Sequence, residues 1–414
     1  MKLIHAAVVI DADRVAAAPG ALLLDGDCVV AAGSPDSIGN VEHAEPIDLH
    51  DCIIIPATVN VHAHLDLTHI GPQPPLQDFI AWIDMIRSLR NRDDAAIARS
   101  VTAGVHAARA GGTALIGDIA GDWSRVPEVA MREADMPGIS FMEIFGNGRS
   151  EHAAIERLRA FMHDSVLDPG SLVRPGIQPH APYSCSRRVY HAAVATGLPL
   201  ATHLAETPAE LDFIANATGP FAQLLERLGV MDESIQAAAM HPVAVLHDVL
   251  QDQAVIAAHV NYVDDAALAQ LAHWQQLTVA YCPRASHYFG HANHRYHDMI
   301  ARGINVAIGS DSIVCLDTPG RISVIDDMAA LYQRDGVDAR LLLAMATVNG
   351  ARALGANGDA FRFTPGPIAG VLALPCTQVD VHRDPLAAAL AEFTATSSIE
   401  WIAGPFNHTV WNAE

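Results

Sequence analysis

The stretch IPATVNVHAHLD, residues 55–66, ends an apolar run with two histidines two positions apart. On a β-strand successive side chains alternate between faces, so His62 and His64 would point the same way while Val61 and Ala63 pack behind them. Two imidazoles on one face can share a metal ion. An exposed strand end that happens to carry histidine is the alternative interpretation, because the chain holds 22 histidines. The segments that follow decide between these interpretations.

Seven further apolar runs follow, separated by helix-like stretches. They are TALIGDI (113–119), ISFMEIFG (139–146), VRPGIQPHAPYS (173–184), LATHLAET (200–207), AVIAAHVNYV (254–263), LTVAYCPR (277–284) and INVAIGSDS (304–312). Buried parallel strands read as continuous apolar runs, and the crossovers between them need helices. The pattern therefore predicts an α/β fold, a (β/α)8 TIM-type barrel whose first strand is TVNVHAHL.

The two ends of the chain have a different texture. The first fifty-odd residues read as short strands with turns, including an Asp25-Gly26 turn signal. After the barrel, ATVNGARALG reads as a helix, and short strands follow it. We predict a hydrolase barrel over residues 56–359, inserted into a small discontinuous β domain made of residues 1–55 and 360–414.

Composition narrows the class of function. The 414 residues carry a net charge of −22, which argues against nucleic acid as a partner and favours a small-molecule substrate. The N-terminus lacks the pattern of a signal peptide, and no run approaches the ~18 apolar residues of a membrane helix. The six cysteines form no CxxC pair, which is typical of reduced thiols. We expect a cytoplasmic protein without a membrane partner.

Polar residues follow five of the eight predicted strands, at the ends where barrel enzymes carry their chemistry. These residues are His62, His64, His180, His203, Glu206, His259 and Asp311. Packing alone is a poor explanation, because burying an uncompensated polar group costs roughly 1–3 kcal/mol. His62, His64, His203 and Asp311 offer three imidazoles and one carboxylate. That set suits a catalytic Zn²⁺ or Fe²⁺ with one position left for water.

Several motifs in order carry a family resemblance: PATVNVHAHL, QPHAPYSCS, THLAETPAEL, AHVNY, YCPRASHYFGH, VAIGSDS and ATVNGARALG. The chain resembles the amidohydrolase superfamily, and within it the branch of nucleoside and nucleobase deaminases and s-triazine hydrolases. The resemblance implies that His62, His64, His203 and Asp311 bind one divalent metal, zinc or alternatively iron. It also implies proton-transfer roles for Glu206 and His259, a substrate contact for His180, and a homodimer.

The lysine count favours a single metal. Binuclear members of the superfamily usually bridge two metals with a carboxylated lysine at the end of the fourth strand. The only lysine here is Lys2, so a one-metal site follows.

The reaction that the resemblance implies is hydrolytic deamination. Glu206 would protonate a ring nitrogen beside the amino-bearing carbon, while Asp311 accepts a proton from the water that the metal activates. His259 would stabilise the developing oxyanion or hold the nucleophile in place.

The substrate prediction depends on residues 64–90, HLDLTHIGPQPPLQDFIAWIDMIRSLR. This stretch is similar to a subgroup that includes adenosine and aminodeoxyfutalosine deaminases. The likeness implies that Phe79, Trp82 and Asp84 line the pocket, with Asp84 binding ribose hydroxyls. The alternative is that Phe79, Trp82 and Met85 are only the apolar face of a helix.

Two other functions stay open at this point. One is an aminohydrolase or chlorohydrolase acting on an s-triazine or on a guanine- or cytosine-type base. The other is a non-catalytic scaffold with an amidohydrolase fold.

Two further segments follow strands of the predicted barrel. The unusual segment IVCLDTPG (313–320) replaces a serine- and asparagine-rich turn, and we expect it to border the active site and affect specificity. A dense histidine loop carries His287, His291, His294 and His297. Their spacing is compatible with a pocket wall or a second weak metal site, but we expect a solvated loop.

Overall fold

The computed structural model describes residues 1–76, 78–122, 124–164, 170–376 and 384–411. Parts of the predicted small domain, residues 377–383 and 412–414, lie outside the described residues. Within the described ranges no helix is both long enough and apolar enough to cross a membrane.

The strands fall into three groups along the chain. The N-terminal group is β1 (Lys2–Ile10), β2 (Val15–Ala17), β3 (Gly20–Asp25), β4 (Cys28–Gly33) and β5 (Glu45–Pro56). The middle group is β6 (Thr58–Ala63), β7 (Thr113–Asp122), β8 (Gly138–Ile144), β9 (Val173–Pro179), β10 (Leu200–Leu204), β11 (Ala254–His259), β12 (Gln276–Tyr281) and β13 (Asn305–Ile308). The C-terminal group is β14 (Gly366–Pro367), β15 (Val371–Pro375) and β16 (Glu400–Ala403).

The middle group forms a parallel sheet in which neighbours in sequence are neighbours in space, from β6 to β13. The backbone N–H groups of Ser310 and Asp311 both donate to the carbonyl of His62, at 3.0 and 2.9 Å, and so join the last strand to the first. The predicted TIM-type barrel is confirmed. Its strands are buried along most of their length, which explains why each one reads as a continuous apolar run.

Most of the helices connect the barrel strands or follow the last of them, whereas the first and the last helix connect strands of a second sheet. The helices are α1 (Pro35–Ile38), α2 (Phe79–Leu89), α3 (Asp94–Ala110), α4 (Val126–Glu133), α5 (Glu151–Asp164), α6 (Arg187–Val194), α7 (Pro208–Asn216), α8 (Pro220–Arg227), α9 (Pro242–Leu250), α10 (Asp265–Leu271), α11 (Pro283–Tyr288), α12 (Tyr296–Ala301), α13 (Val324–Asp335), α14 (Ala339–Met345), α15 (Val348–Ala353) and α16 (Pro385–Glu392). Two of these helices, α2 and α3, lie between β6 and β7, and this long connection carries one wall of the site.

The other strands make a second sheet in the order β14-β4-β3-β1-β5-β15-β16, with β2 beside β1. This sheet joins the two ends of the chain, because β15 pairs with β5 in antiparallel register. A second small sheet therefore accompanies the barrel, as the fold prediction stated. The exact domain limits, 56–359 for the barrel and 1–55 with 360–414 for the small domain, stay a prediction.

Candidate metal and substrate site

Three imidazoles meet at the carboxyl-terminal end of the barrel. His62, His64 and His203 each place one ring nitrogen within 4.8 Å of the other two. Asp311 joins them, with its Oδ1 atom 3.5 Å from Nε2 of His64 and 4.0 Å from Nε2 of His62. The structure therefore brings together the four side chains that the sequence analysis singled out as metal ligands.

Local contacts tie His62 to the segment that carries Asp311. The Asn60 side chain donates to Ser310 Oγ at 2.7 Å and accepts from the backbone N–H of Ser310 at 3.1 Å. Gly309 lets the last strand approach the first, because a Cβ at this position would lie 2.8 Å from the Cβ of His62. The strand that carries the histidine pair is thus tied directly to the segment that carries Asp311.

The donor set fits a divalent metal ion. Within the described ranges both ring nitrogens of His62 and Nδ1 of His64 are buried without a hydrogen-bond partner, which is unusual for interior polar atoms. Burial, and then the neighbouring imidazoles, lower the pKa of both histidines well below the ordinary value. Neutral imidazole is the form that binds metals, so these residues would hold an ion through nitrogen donors.

Glu206 and His259 face each other beside this cluster. Glu206 Oε1 lies 3.5 Å from His259 Nε2, and both side chains are almost fully buried. The carboxylate of Glu210 accepts from the backbone N–H groups of Ala205 and Glu206, at 2.9 and 2.8 Å, and so holds the turn that aims Glu206. Sequence reasoning missed Glu210, although its place four residues after Glu206 in one motif was a usable signal.

The backbone around the site adopts conformations that side chains other than glycine rarely take. Ala205, His259, Val260 and Asp311 all have positive φ angles, of 49°, 69°, 54° and 60°. Such residues cost free energy, and they collect at functional sites where the surrounding structure holds them. Three strand ends of this barrel carry the strain, and all three carry a predicted site residue.

The two carboxyl groups of the site are poor acids. Burial raises the pKa of Asp311 to about 6. Burial, followed by the charges of Asp311 and Glu210, raises the pKa of Glu206 well above its ordinary value. A cation held between the histidines would favour the ionised form of Asp311, since an opposite charge stabilises a carboxylate.

A cavity of about 840 Å³ opens onto the cluster. It is lined by His64, His203, Glu206, His259 and Asp311, and also by His180 and Trp82. Ligand pockets usually measure ~300–1,000 Å³. At about 840 Å³ this cavity lies in the upper part of that range, so it has room for more than a nucleobase. Phe79 also lines it and stacks on Trp82, with ring centroids 5.6 Å apart. Trp82 and His180 therefore both line the cavity, and their contact with a substrate stays a prediction.

Asp84 does not reach this cavity, in contrast to the prediction. Both of its carboxylate oxygens accept from Arg227 of α8, at 2.8 and 2.7 Å, on the exposed side of α2. The physical reason is helical geometry: residues two positions apart do not share a face, so placing Trp82 in the cavity turns Asp84 away from it.

The histidine loop also differs from the expectation that it is solvated. His287 and His297 are exposed, but His291 and His294 are partly buried. The His294 ring stacks on Tyr281 at 3.8 Å, and its Nε2 atom contacts the backbone carbonyl of His259 at 2.7 Å. His294 therefore supports the strained backbone that carries His259.

The unusual segment 313–320 is packed against the barrel and lines no part of the described cavity. Arg284 holds the chain there: its Nη1 donates to Thr318 Oγ1 and its Nη2 donates to the carbonyl of Ser323, both at 3.0 Å. The same guanidinium pairs with the buried carboxylate of Asp327 at 3.0 Å. The segment does not line the cavity itself, but Val314 and Cys315 pack against Trp82, which does. The expected effect of the segment on specificity stays a prediction.

Sequence reasoning also missed a buried ionic cluster on the cavity wall beside His180. Arg90 Nε donates to Asp66 Oδ2 at 2.6 Å, and Arg90 Nη2 lies 3.3 Å from Glu143 Oε2. Glu143 in turn places Oε1 3.8 Å from Nε2 of His180. A usable signal was present, because Glu143 is a charged residue inside the otherwise apolar run ISFMEIFG.

Comparison with known proteins agrees with this arrangement. The model described as "Amidohydrolase family" matches residues 53–398. An aminodeoxyfutalosine deaminase of Deinococcus radiodurans is 27% identical over 372 residues, covering 82% of each chain. A 5-methylthioadenosine/S-adenosylhomocysteine deaminase of Syntrophobacter fumaroxidans is 24% identical over 372 residues, covering 86% of this chain and 79% of its own.

A solved structure shows the same fold. Aminofutalosine deaminase of Helicobacter pylori, solved in complex with methylthio-coformycin, superposes with a TM-score of 0.76 at 16% identity. The superposition covers 99% of this chain and all of the other. The likeness extends over both the barrel and the second sheet.

Proposed function

Because this chain belongs to the amidohydrolase family, we propose that it is a metal-dependent hydrolytic deaminase whose substrate is an adenine nucleoside. The names of its relatives support the substrate class, since they include deaminases of aminodeoxyfutalosine, methylthioadenosine and 5'-deoxyadenosine. The size of the cavity also supports a ligand larger than a free base.

One observation carries this proposal. Three neutral imidazoles and the Asp311 carboxylate meet at one point, and the Glu206–His259 pair lies beside them on the wall of the same cavity. Ligands for a cation and buried groups able to move protons are the two components that metal-assisted hydrolysis needs.

We propose zinc as the ion, held by His62, His64, His203 and Asp311, because three nitrogen donors and one carboxylate are common zinc ligands. A divalent ion at such a site makes a water molecule acidic enough to act as a nucleophile near neutral pH. The remaining steps belong to side chains of this protein.

Glu206 is the proposed proton carrier. Its buried carboxyl group, protonated as its raised pKa favours, would donate a proton to the ring nitrogen beside the amino-bearing carbon. That carbon then gains a C–O bond from water and loses its C–N bond, and ammonia leaves. His259 would donate a hydrogen bond to the oxygen on which charge develops, and its strained backbone fixes the direction of that bond.

The experiment is ammonia release by the zinc-reconstituted protein from a panel of compounds. The panel contains adenosine, methylthioadenosine, S-adenosylhomocysteine and aminodeoxyfutalosine, with guanine, cytosine and melamine as the alternatives. We expect ammonia from at least one adenine nucleoside, loss of activity after chelation, and recovery when zinc returns. Ammonia from guanine, cytosine or melamine alone would contradict the proposed substrate class.

A further inference from the structure

The cavity wall beside His180 contains buried polar groups for which the deamination chemistry has no use. Asp66, Arg90 and Glu143 all line the cavity, and the two carboxylates are at most 5% exposed. We propose that Glu143 and Arg90, supported by Asp66, form the subsite that binds the hydroxyl groups of the substrate's sugar. This inference deepens the proposed function and depends on it.

Each of these three side chains has an atom left without a hydrogen-bond partner. Within the described ranges Asp66 Oδ1, Arg90 Nη2 and Glu143 Oε2 are buried and make no hydrogen bond. Arg90 Nη2 and Glu143 Oε2 form an ion pair 3.3 Å apart without the alignment of a hydrogen bond, so each still has room for a hydrogen-bond partner. Interior polar atoms are nearly always paired, so these three atoms on one cavity wall point to a polar ligand.

The chemistry of these three atoms determines which kind of ligand group can bind them. A partner for these atoms must accept from the Arg90 guanidinium and donate to the carboxylates of Glu143 and Asp66. A hydroxyl group does both, and two neighbouring hydroxyls would satisfy all three atoms. A carboxylate or phosphate of the ligand would be repelled by Glu143 and Asp66, and an ammonium group by Arg90.

A second metal ion is the competing explanation for this corner of the cavity. Glu143, His180 and His203 each bring one ligand atom within 4.8 Å of the others. The guanidinium of Arg90 lies against Glu143, however, so a cation there would face a fixed positive charge. His203 also belongs to the first cluster. The hydroxyl subsite explains Arg90, and a metal does not.

The position of the subsite also suits the sugar of a nucleoside. Glu143 adjoins both His180 and His203: its Oε1 is 3.8 Å from Nε2 of His180, and one of its oxygens lies within 4.8 Å of a His203 ring nitrogen, so the subsite begins beside the metal-ligand cluster. A base whose reacting carbon lies at the cluster would place its sugar farther along the same cavity wall. Asp84, the residue first expected to bind the sugar, is paired with Arg227 outside the cavity.

The experiment compares nucleosides that differ only in the sugar hydroxyls. The ratio of kcat/KM for adenosine to that for 2′,3′-dideoxyadenosine measures the subsite. A hydrogen bond to a charged group is the stronger kind, so we expect the wild-type ratio to be roughly tenfold to a hundredfold. In Glu143→Gln the ratio should fall to within about threefold of unity. A wild-type ratio near unity would overturn the proposal without any variant.

Asp84→Asn is the matched control. It removes one carboxylate charge outside the cavity, and it should leave the ratio unchanged. Loss of discrimination in Asp84→Asn, and not in Glu143→Gln, would assign the sugar to Asp84 and overturn the proposal. Arg90→Lys gives a second variant if Glu143→Gln does not fold, and it should lower the ratio as well.

Binding separates this inference from the proposed reaction. Calorimetric titration of zinc-loaded Glu206→Gln with adenosine and with the dideoxy compound needs no turnover. Tighter binding of adenosine by this variant, together with no ammonia release from any adenine nucleoside by the zinc-loaded wild type, would support the subsite and refute the reaction. Deamination of both compounds with equal kcat/KM would refute the subsite and support the reaction.

Discussion

Glu206 Oε1 lies 3.5 Å from His259 Nε2, although the two residues follow different strands and their side chains are almost completely buried. The side-chain amide of Asn261 donates to the backbone carbonyl of Glu206 at 3.1 Å and so ties the two strand ends together. A buried carboxyl group held this firmly against an imidazole can exchange protons with a ligand in the cavity.

Replacing Glu206 should stop the proton transfer without removing the metal. We expect Glu206→Gln to lower kcat on an adenine nucleoside by roughly 10²–10⁴-fold, because an amide cannot carry a proton between groups. Elemental analysis should find the same zinc content as in the wild type. Glu226→Gln is the matched control, since Glu226 is exposed on α8 and should tolerate the change. Full activity in Glu206→Gln would remove this residue from the chemistry.

Removing one candidate ligand should release the ion. We expect His64→Ala to bind far less zinc than the wild type, whose content should be about one equivalent for a single catalytic site. Its melting temperature should also no longer rise when zinc is added, because a ligand stabilises only the state that binds it. His287→Ala removes an exposed histidine and should keep both properties. Two equivalents of zinc in the wild type would contradict the one-metal assignment.

A methyl group at Gly309 should disturb the site through His62. The new Cβ would meet the Cβ of His62 at 2.8 Å and Cys282 Sγ at 3.0 Å, so His62 would have to move. We expect Gly309→Ala to weaken zinc affinity by about 10–100-fold, as changes that misalign a metal ligand do. Gly320→Ala is the control, because nothing lies within 4 Å of a Cβ at that position. Equal zinc affinity in both variants would show that His62 does not depend on this close approach.

Arg284 should be important for stability. Its guanidinium pairs with Asp327, which is fully buried, and removing one partner leaves the other charge uncompensated. Arg284→Gln should lower the free energy of unfolding by about 3–5 kcal/mol, measured by denaturant titration. Arg295→Gln breaks two ion pairs at the surface and should shift the denaturation midpoint little. Equal shifts in both variants would refute a structural role for the buried pair.

The barrel was predictable because its strands are buried on both faces. Each strand therefore appears as an apolar run, and the polar residue that ends a run lies at the rim where all strand ends meet. His62, His203 and Asp311 could be identified in this way without any knowledge of their contacts.

Other parts of the site depend on contacts between distant segments. Asp84 and Trp82 are two residues apart, and only the way α2 packs decides that Trp82 enters the cavity while Asp84 pairs with Arg227. The sequence assigned no role to Glu143, because its ion-pair partner Arg90 lies far away in the chain, on the long connection between β6 and β7. His294 looked like part of a solvated loop, although it supports His259.

The most direct test of the central claim is to identify the C–N bond that breaks. Zinc-reconstituted protein is incubated with adenosine in water enriched in heavy oxygen, and the products are analysed by mass spectrometry. We expect ammonia together with inosine that carries one solvent oxygen on its base, and at least roughly 10²-fold less of both products in the matched Glu206→Gln reaction. Free adenine with a labelled sugar would show cleavage of the glycosidic bond and would contradict the proposed reaction.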